Sequence, residues 1–162
     1  LGKRCKNPES ANSTGRFRLM WNEVVYQPGE LKVVAYKEGE KIGESFMKTT
    51  GEAVQLRLTP DRSEISADGK DLSFVLIEAM DKDGNVCPLA DNNIKISLTG
   101  NAIIAGVDNG NPQSFSSFKS DNVKLFYGKA MVIIKSTDKT GTAKITAGAD
   151  GLKSAETTLK IQ

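Results

Sequence analysis

The chain contains no histidine and only two cysteines, Cys5 and Cys87. Without imidazole, and with thiols too far apart in sequence to act as a ligand pair, a zinc site is excluded. The spacing reads as two separate thiols, with a Cys5–Cys87 bridge as the alternative. Long apolar runs are also missing. Nothing approaches the roughly 18 residues of a membrane helix, so no membrane span is expected. Neither sign of charge is concentrated: 22 Lys and Arg stand against 20 Asp and Glu, a net charge of +2. The signs alternate along the chain, which argues against a nucleic-acid partner. Helical periodicity is absent as well. No leader of basic, apolar and small residues opens the chain, and Leu1-Gly2-Lys3-Arg4, without a Met, reads as a piece cut from a larger protein.

What is present is a succession of short alternating runs in 162 residues, enough for one domain of roughly 100 to 150 residues and an appendage. Leu72 to Met80 is apolar on both alternating faces, with Val75, Ile77 and Ala79 on one and Phe74, Leu76 and Met80 on the other. That predicts a central strand covered on both sides. Around it, Val54 to Leu58, Ile65 to Ala67, Ile94 to Leu98, Ile103 to Val107, Ala130 to Ile134, Ala143 to Ala147 and Thr157 to Ile161 read as strands. Val54, Leu56, Ile96, Val132 and Ile145 are the expected core neighbours of Ile77. Seven or so short strands over residues 53–162, with regular turns, predict an all-β, immunoglobulin-like β-sandwich.

Residues 1–50 read differently. Residues 1–15 are loop by composition. Phe17, Leu19 and Trp21 then alternate with Arg16, Arg18 and Met20 as a strand, and two further strands, Leu31 to Ala35 and Ile42 to Met47, flank a turn at Glu38-Gly39-Glu40-Lys41. Three short strands cannot close a core, so this part is expected to be an incomplete C-terminal part of a preceding β-sandwich, truncated, with the boundary at Thr49-Thr50-Gly51-Glu52.

Chemistry is harder to find. Glu23, Glu30, Glu38, Glu40, Glu44, Glu64 and Glu78 are candidates for a glycosidase pair, which needs two carboxyls roughly 5 to 10 Å apart in a cleft. Most alternate with apolar positions or lie in turns and read as solvated surface, and Glu78, within the central run, reads as a bent or edge position. Asp81-Lys82-Asp83-Gly84-Asn85 has the wrong glycine spacing for a calcium loop and no Glu six residues on, so it reads as a turn, as does Asp108-Asn109-Gly110-Asn111-Pro112. No catalytic, metal or cofactor-binding residue is expected, and no cofactor. Asn12-Ser13-Thr14 matches a glycosylation acceptor by pattern alone. Asp108 to Tyr127 lacks a strand pattern yet holds four aromatics, and is expected to be ordered with Phe115, Phe118 and Phe126 packed on the sandwich. Trp21, in register with Phe17 and Leu19, reads as core. Trp21, Tyr26, Phe115, Phe118 and Tyr127 are the candidates for contact with sugar or with another domain.

Leu58-Thr59-Pro60-Asp61-Arg62, Ala67-Asp68-Gly69-Lys70-Asp71-Leu72-Ser73-Phe74-Val75, Asp81-Lys82-Asp83-Gly84-Asn85 and Gly106-Val107-Asp108-Asn109-Gly110-Asn111-Pro112 resemble the C-terminal immunoglobulin-like module of Bacteroidetes glycoside hydrolase family 2 enzymes of the β-galactosidase type. Upstream, the run from Trp21 to Tyr36 resembles the end of the sandwich domain that precedes that module. The resemblance implies a non-catalytic accessory or architectural module acting in carbohydrate degradation. Its partners would be the catalytic and other sandwich domains of the parent enzyme, and its location periplasmic or extracellular. No stretch matches the family's catalytic barrel, so no catalytic residue carries over. A carbohydrate-binding module, with oligosaccharide as partner, and a bacterial cell-surface adhesion or spacer module are the alternatives.

Overall fold

The computed structural model describes residues 1–162, the side chain of Ser13 excepted. The chain divides into two compact units, Leu1–Thr49 and Thr50–Gln162.

In the first unit, α1 (Ser13–Phe17) is a single helical turn started by the Asn12 side chain, which accepts from Thr14 N. The strand expected from Phe17 to Trp21 does not form. Arg18 leaves the helix with extended backbone and residues 18–29 are irregular, because period-2 alternation without a partner ladder has nothing to pair with. Phe17 is 70% exposed, and the sequence reading of Trp21 as core is likewise overturned, since it is only half-buried. The hairpin does form. β1 (Glu30–Lys37) pairs antiparallel with β2 (Glu40–Lys48) across Glu38 and Gly39, both at positive φ, as a two-residue turn matched to strand twist requires.

The second unit is a β-sandwich. Its strands are β3 (Gln55–Pro60), β4 (Glu64–Ile65), β5 (Leu72–Met80), β6 (Asn93–Gly100), β7 (Ala102–Asp108), β8 (Asn122–Lys124), β9 (Lys129–Ser136), β10 (Gly141–Ala149) and β11 (Leu152–Ile161). One layer runs β7-β9-β5-β3 and the other β11-β10-β6-β8, antiparallel within each. The first strand changes layers. β3 pairs with β5, and after Asp61-Arg62-Ser63 the chain resumes as β4, which runs parallel to β11 in the other layer. This is the four-plus-three arrangement of an immunoglobulin-type sandwich with β8 added at one edge, and the layers meet again at one corner where Lys153 pairs with Gln55.

The core lies between the layers. Val75, Ile77 and Ala79 of β5, Val132 and Ile134 of β9, Ile94 and Ile96 of β6, Ile145 of β10, and Leu159 and Ile161 of β11 are buried. Two sequence expectations fail here. Val54 is 44% exposed and precedes β3, so it is not a core neighbour of Ile77. Within this unit the second face of β5 is covered only toward its end: Phe74 is 38% exposed and Leu76 half-buried, whereas Glu78 and Met80 are buried. Among the described residues no helix is long and apolar enough to cross a membrane.

Candidate functional site

Glu78 sits near the C-terminal end of β5, opposite Arg57 of β3 on one side and Lys129 of β9 on the other. The register aligns all three on the outer face of the β7-β9-β5-β3 layer. Arg57 Nε and Nη2 donate to Oε2 at 3.0 and 2.6 Å, and Lys129 Nζ lies 3.2 Å from Oε1. Glu78 is therefore not at the bent or edge position that the sequence reading gave it, but 4% exposed in a central strand. Burial alone would raise its carboxyl. The hydrogen bonds from Arg57 and then Lys129 outweigh that and hold it below the ordinary glutamate range.

Asp81 follows at the end of β5. One carboxylate oxygen accepts from Asp83 N and Asn85 N at 2.9 and 2.8 Å, and the other from Gly51 N at 3.0 Å. The Asn85 amide reaches both oxygens, at 3.2 and 3.1 Å. These bonds, the Asn85 backbone foremost, hold the carboxyl down at about 2. The segment is a turn, as the sequence indicated. What the spacing could not show is that its first residue also fastens Gly51, thirty residues upstream. Cys87 completes the arrangement, its Sγ 3.4 Å from Gly51 O. Burial, reinforced by the Asp81 charge, pushes the Cys87 thiol up, away from the thiolate a nucleophile needs. Both cysteines are free.

The remaining displaced carboxyls are structural too. Asp71 accepts from Ser66 N and pairs with Arg62, and is held down at about 2. Asp61 accepts from Phe74 N and Arg62 N at 2.8 Å each, while Asp68 caps Lys70 N and Asp71 N. A cleft of about 660 Å³ at the end of the sandwich where β3 begins is lined by Glu52, Asp91 and Asp150 together with Leu89. Asp91 is lowered by its pairing with Lys124, 2.9 Å away. Among the described residues no three such side chains converge in a way that could hold a metal ion.

The aromatic candidates do not come together as one platform. In the first unit, Trp21 Nε1 donates to Leu1 O at 3.1 Å with Arg4 over its ring, and Tyr26 shares a hydrogen bond with Thr49 Oγ1. In the second unit, Phe115 is fully exposed, Phe118 66% and Tyr127 67%. The expectation that Phe115 and Phe118 pack on the sandwich is thus overturned. The segment is held instead by Val123 and Leu125, which are buried, and by polar turns. Asp108 accepts from Asn109 N and Gly110 N, Asn109 Oδ1 from Asn111 N, and Asn109 Nδ2 donates to Lys124 O. Phe118 contributes its backbone carbonyl, which accepts from Val107 N of the edge strand β7. It also lines a small cleft of about 30 Å³ with Asn109, Asn111 and Asn122, in which Tyr127 has no part.

Comparison with known proteins places these features. Residues 56–158 match the family Glycoside hydrolase family 2 C-terminal domain 5, and residues 1–43 match a Domain of unknown function (DUF4982). The Beta-galactosidase BoGH2A of Bacteroides ovatus is 48% identical over 139 residues, 86% of this chain but 16% of that protein. A Beta-glucuronidase of Formosa agariphila is 27% identical over 93% of this chain and 15% of its own length. The crystal structure of a glycosyl hydrolase family 2 member from Bacteroides cellulosilyticus DSM 14838 superposes with a TM-score of 0.84 at 34% identity, covering 94% of this chain and 21% of that one. The chain thus spans about a sixth of the length of these curated relatives. The sandwich of β3 to β11 matches the family over nearly its whole length, and the chain belongs to the glycoside hydrolase family 2 C-terminal domain 5 family.

Proposed function

We propose that residues 50–162 are a non-catalytic, architectural module of a glycoside hydrolase family 2 enzyme of the β-galactosidase type, acting in carbohydrate degradation in the periplasm or outside the cell. One observation carries the reading. A glycosidase acid needs a carboxyl free to hold and release a proton in a cleft, whereas the two buried carboxylates of this unit, Glu78 and Asp81, are engaged by Arg57 and Lys129 and by the backbone N–H groups of Gly51, Asp83 and Asn85. The relatives add support, because one stretch of sequence recurs in proteins named for galactosides and for glucuronides, as expected of a part that does not choose the sugar. On the same reading, residues 1–49 are the end of a preceding sandwich domain. The test is turnover of nitrophenyl galactosides, glucuronides and mannosides by this chain, with none expected above buffer. Turnover that survives repurification and is lost in Glu78→Gln would overturn it.

A carbohydrate-binding role is the second reading, favoured by the full exposure of Phe115 with Phe118 nearby in sequence. Oligosaccharide titration followed by amide resonances of residues 108–121 tests it. Saturable shifts lost in Phe115→Ala support it, and their absence removes it.

A further inference from the structure

The passage from the first unit to the second takes very few residues, and hydrogen bonds fasten both of its ends. On the upstream side, β2 closes against β1 with Lys48 opposite Glu30 and their charged groups 3.3 Å apart. Thr49 extends that grip past the end of the strand. Its N–H donates to Gly29 O at 2.8 Å, and its hydroxyl oxygen accepts from Gly29 N at 3.1 Å and lies 3.1 Å from the Tyr26 hydroxyl. Thr49 is thereby tied to the hairpin.

On the downstream side, Gly51 is held through both of its backbone groups. Its N–H donates to Asp81 Oδ2 at 3.0 Å, and its carbonyl accepts from the Cys87 thiol at 3.4 Å. Asp81 is itself buried and fixed by Asp83 N, Asn85 N and the Asn85 amide. The hold continues along the chain, where Val54 N donates to Met80 O, Lys153 N donates to Val54 O, and Ala53 packs against the core. Only Thr50 lies between the two fastenings. Among the described residues its backbone groups make no hydrogen bond, and its side chain has one contact, to the Cys87 thiol, which does not tie down its backbone. Turning the chain at Thr49 or Gly51 would break hydrogen bonds, one of them to an ionised carboxylate, whereas a change of φ and ψ at Thr50 breaks none of its own backbone bonds.

We propose that Thr50 is a one-residue hinge. The two units reorient about its backbone torsions alone, and Gly29 and Tyr26 on one side, with Asp81 and Cys87 on the other, keep that motion from spreading along the chain. The inference goes beyond the non-catalytic reading and does not depend on it.

The test is measurement of backbone N–H residual dipolar couplings on this chain under weak alignment. Couplings from β1 and β2 define one alignment tensor and those from β3 to β11 a second. The two should differ in magnitude, with Thr49 fitting the first and Gly51 the second. In Asp81→Asn, the Gly51 coupling should leave the second tensor while those of Ile77 and Val132 stay on it, which also shows that the sandwich is folded. In Thr49→Val, which keeps the backbone bond to Gly29 and loses both hydroxyl contacts, the coupling of residue 49 should leave the first tensor, and Thr49→Ser should keep it there. A single tensor for the whole chain means that the units do not reorient, and overturns the proposal. A hairpin that fits no tensor overturns it too, since the upstream fastening is then absent, as does a misfit that reaches Thr49 or Gly51 in the unsubstituted chain. Couplings unmoved in both Asp81→Asn and Thr49→Val would mean that these side chains do not confine the motion, and overturn it as well. None of these outcomes touches the non-catalytic reading, which fails only if this chain hydrolyses glycosides.

Discussion

At the scale of single residues, the buried carboxylates are fixed by the donors they face. Glu78 has two cationic neighbours of unequal grip. Arg57 gives two hydrogen bonds, the shorter at 2.6 Å, and Lys129 a single contact at 3.2 Å. Removing a cation strands charge on a buried group, whereas removing Glu78 strands charge on groups half in water. Arg57→Met should therefore lower the urea midpoint more than Lys129→Met, and Glu78→Gln should cost about 1 to 3 kcal/mol. The opposite order for the two cation variants would mean that Lys129 holds the carboxylate. Asp81 and Asp71 make a pH prediction. Their folded carboxyls titrate at about 2, below the unfolded aspartate value of about 3.9. A group depressed in this way stabilises the fold fully above the unfolded value and loses that stabilisation as pH falls toward the folded one. Urea midpoints should be level above about pH 5 and fall between about pH 4 and 2. Asp81→Asn, whose amide nitrogen cannot accept from Gly51 N, should lower the plateau and flatten the acid limb. An unchanged limb in that variant would show that Asp81 is not linked to folding.

At the scale of strands, β5 decides the outcome. Ile77 is fully buried between the layers, and Lys95 of β6 points out. Ile77→Ala should cost about 2 to 5 kcal/mol through the cavity it leaves, and Lys95→Ala little, measured by urea denaturation. Equal effects would put β5 one residue out of register. The turn from β8 into β9 is just as demanding. Gly128 has φ +73, and a side-chain carbon there would run into the Cys87 carbonyl, so Gly128→Ala should destabilise by more than about 1 kcal/mol. Most strands were legible in the sequence because alternation between a buried and a wet face is a local signal. β8 was not, since three residues are too few to show a period, and Val123 reveals itself only by pairing with Ile94. The Phe17–Trp21 run misled for the converse reason: it alternates but has no partner. The Arg57-Glu78-Lys129 row was hidden because it depends on three strands lying in register. A glutamate inside an apolar run, with Arg and Lys inside two others, was the available hint.

At the scale of the whole chain, the two units hold very different amounts of core. Thr50–Gln162 contains every buried apolar residue of the cluster between the layers. Leu1–Thr49 contains one helical turn and a hairpin whose large side chains stand open: Leu31 50%, Tyr36 64%, Ile42 65%, Phe46 58% and Met47 75% exposed. A lone two-stranded ribbon is marginal in water, because its strands order 8 and 9 residues at about 1 to 2 kcal/mol each while burying little in return. Native-state hydrogen exchange should therefore separate the units. Amides of β1 and β2 are expected to exchange through openings of no more than about 1 to 2 kcal/mol, and those of Ile77, Val132 and Ile145 only through global unfolding. Hairpin amides as protected as Ile77 would show that β1 and β2 share the sandwich's cooperative transition. Fast exchange in this chain, followed by strong protection of the same amides in the full-length enzyme, would mean that the hairpin is completed by a sheet supplied from elsewhere in that enzyme, as expected of the end of a preceding sandwich.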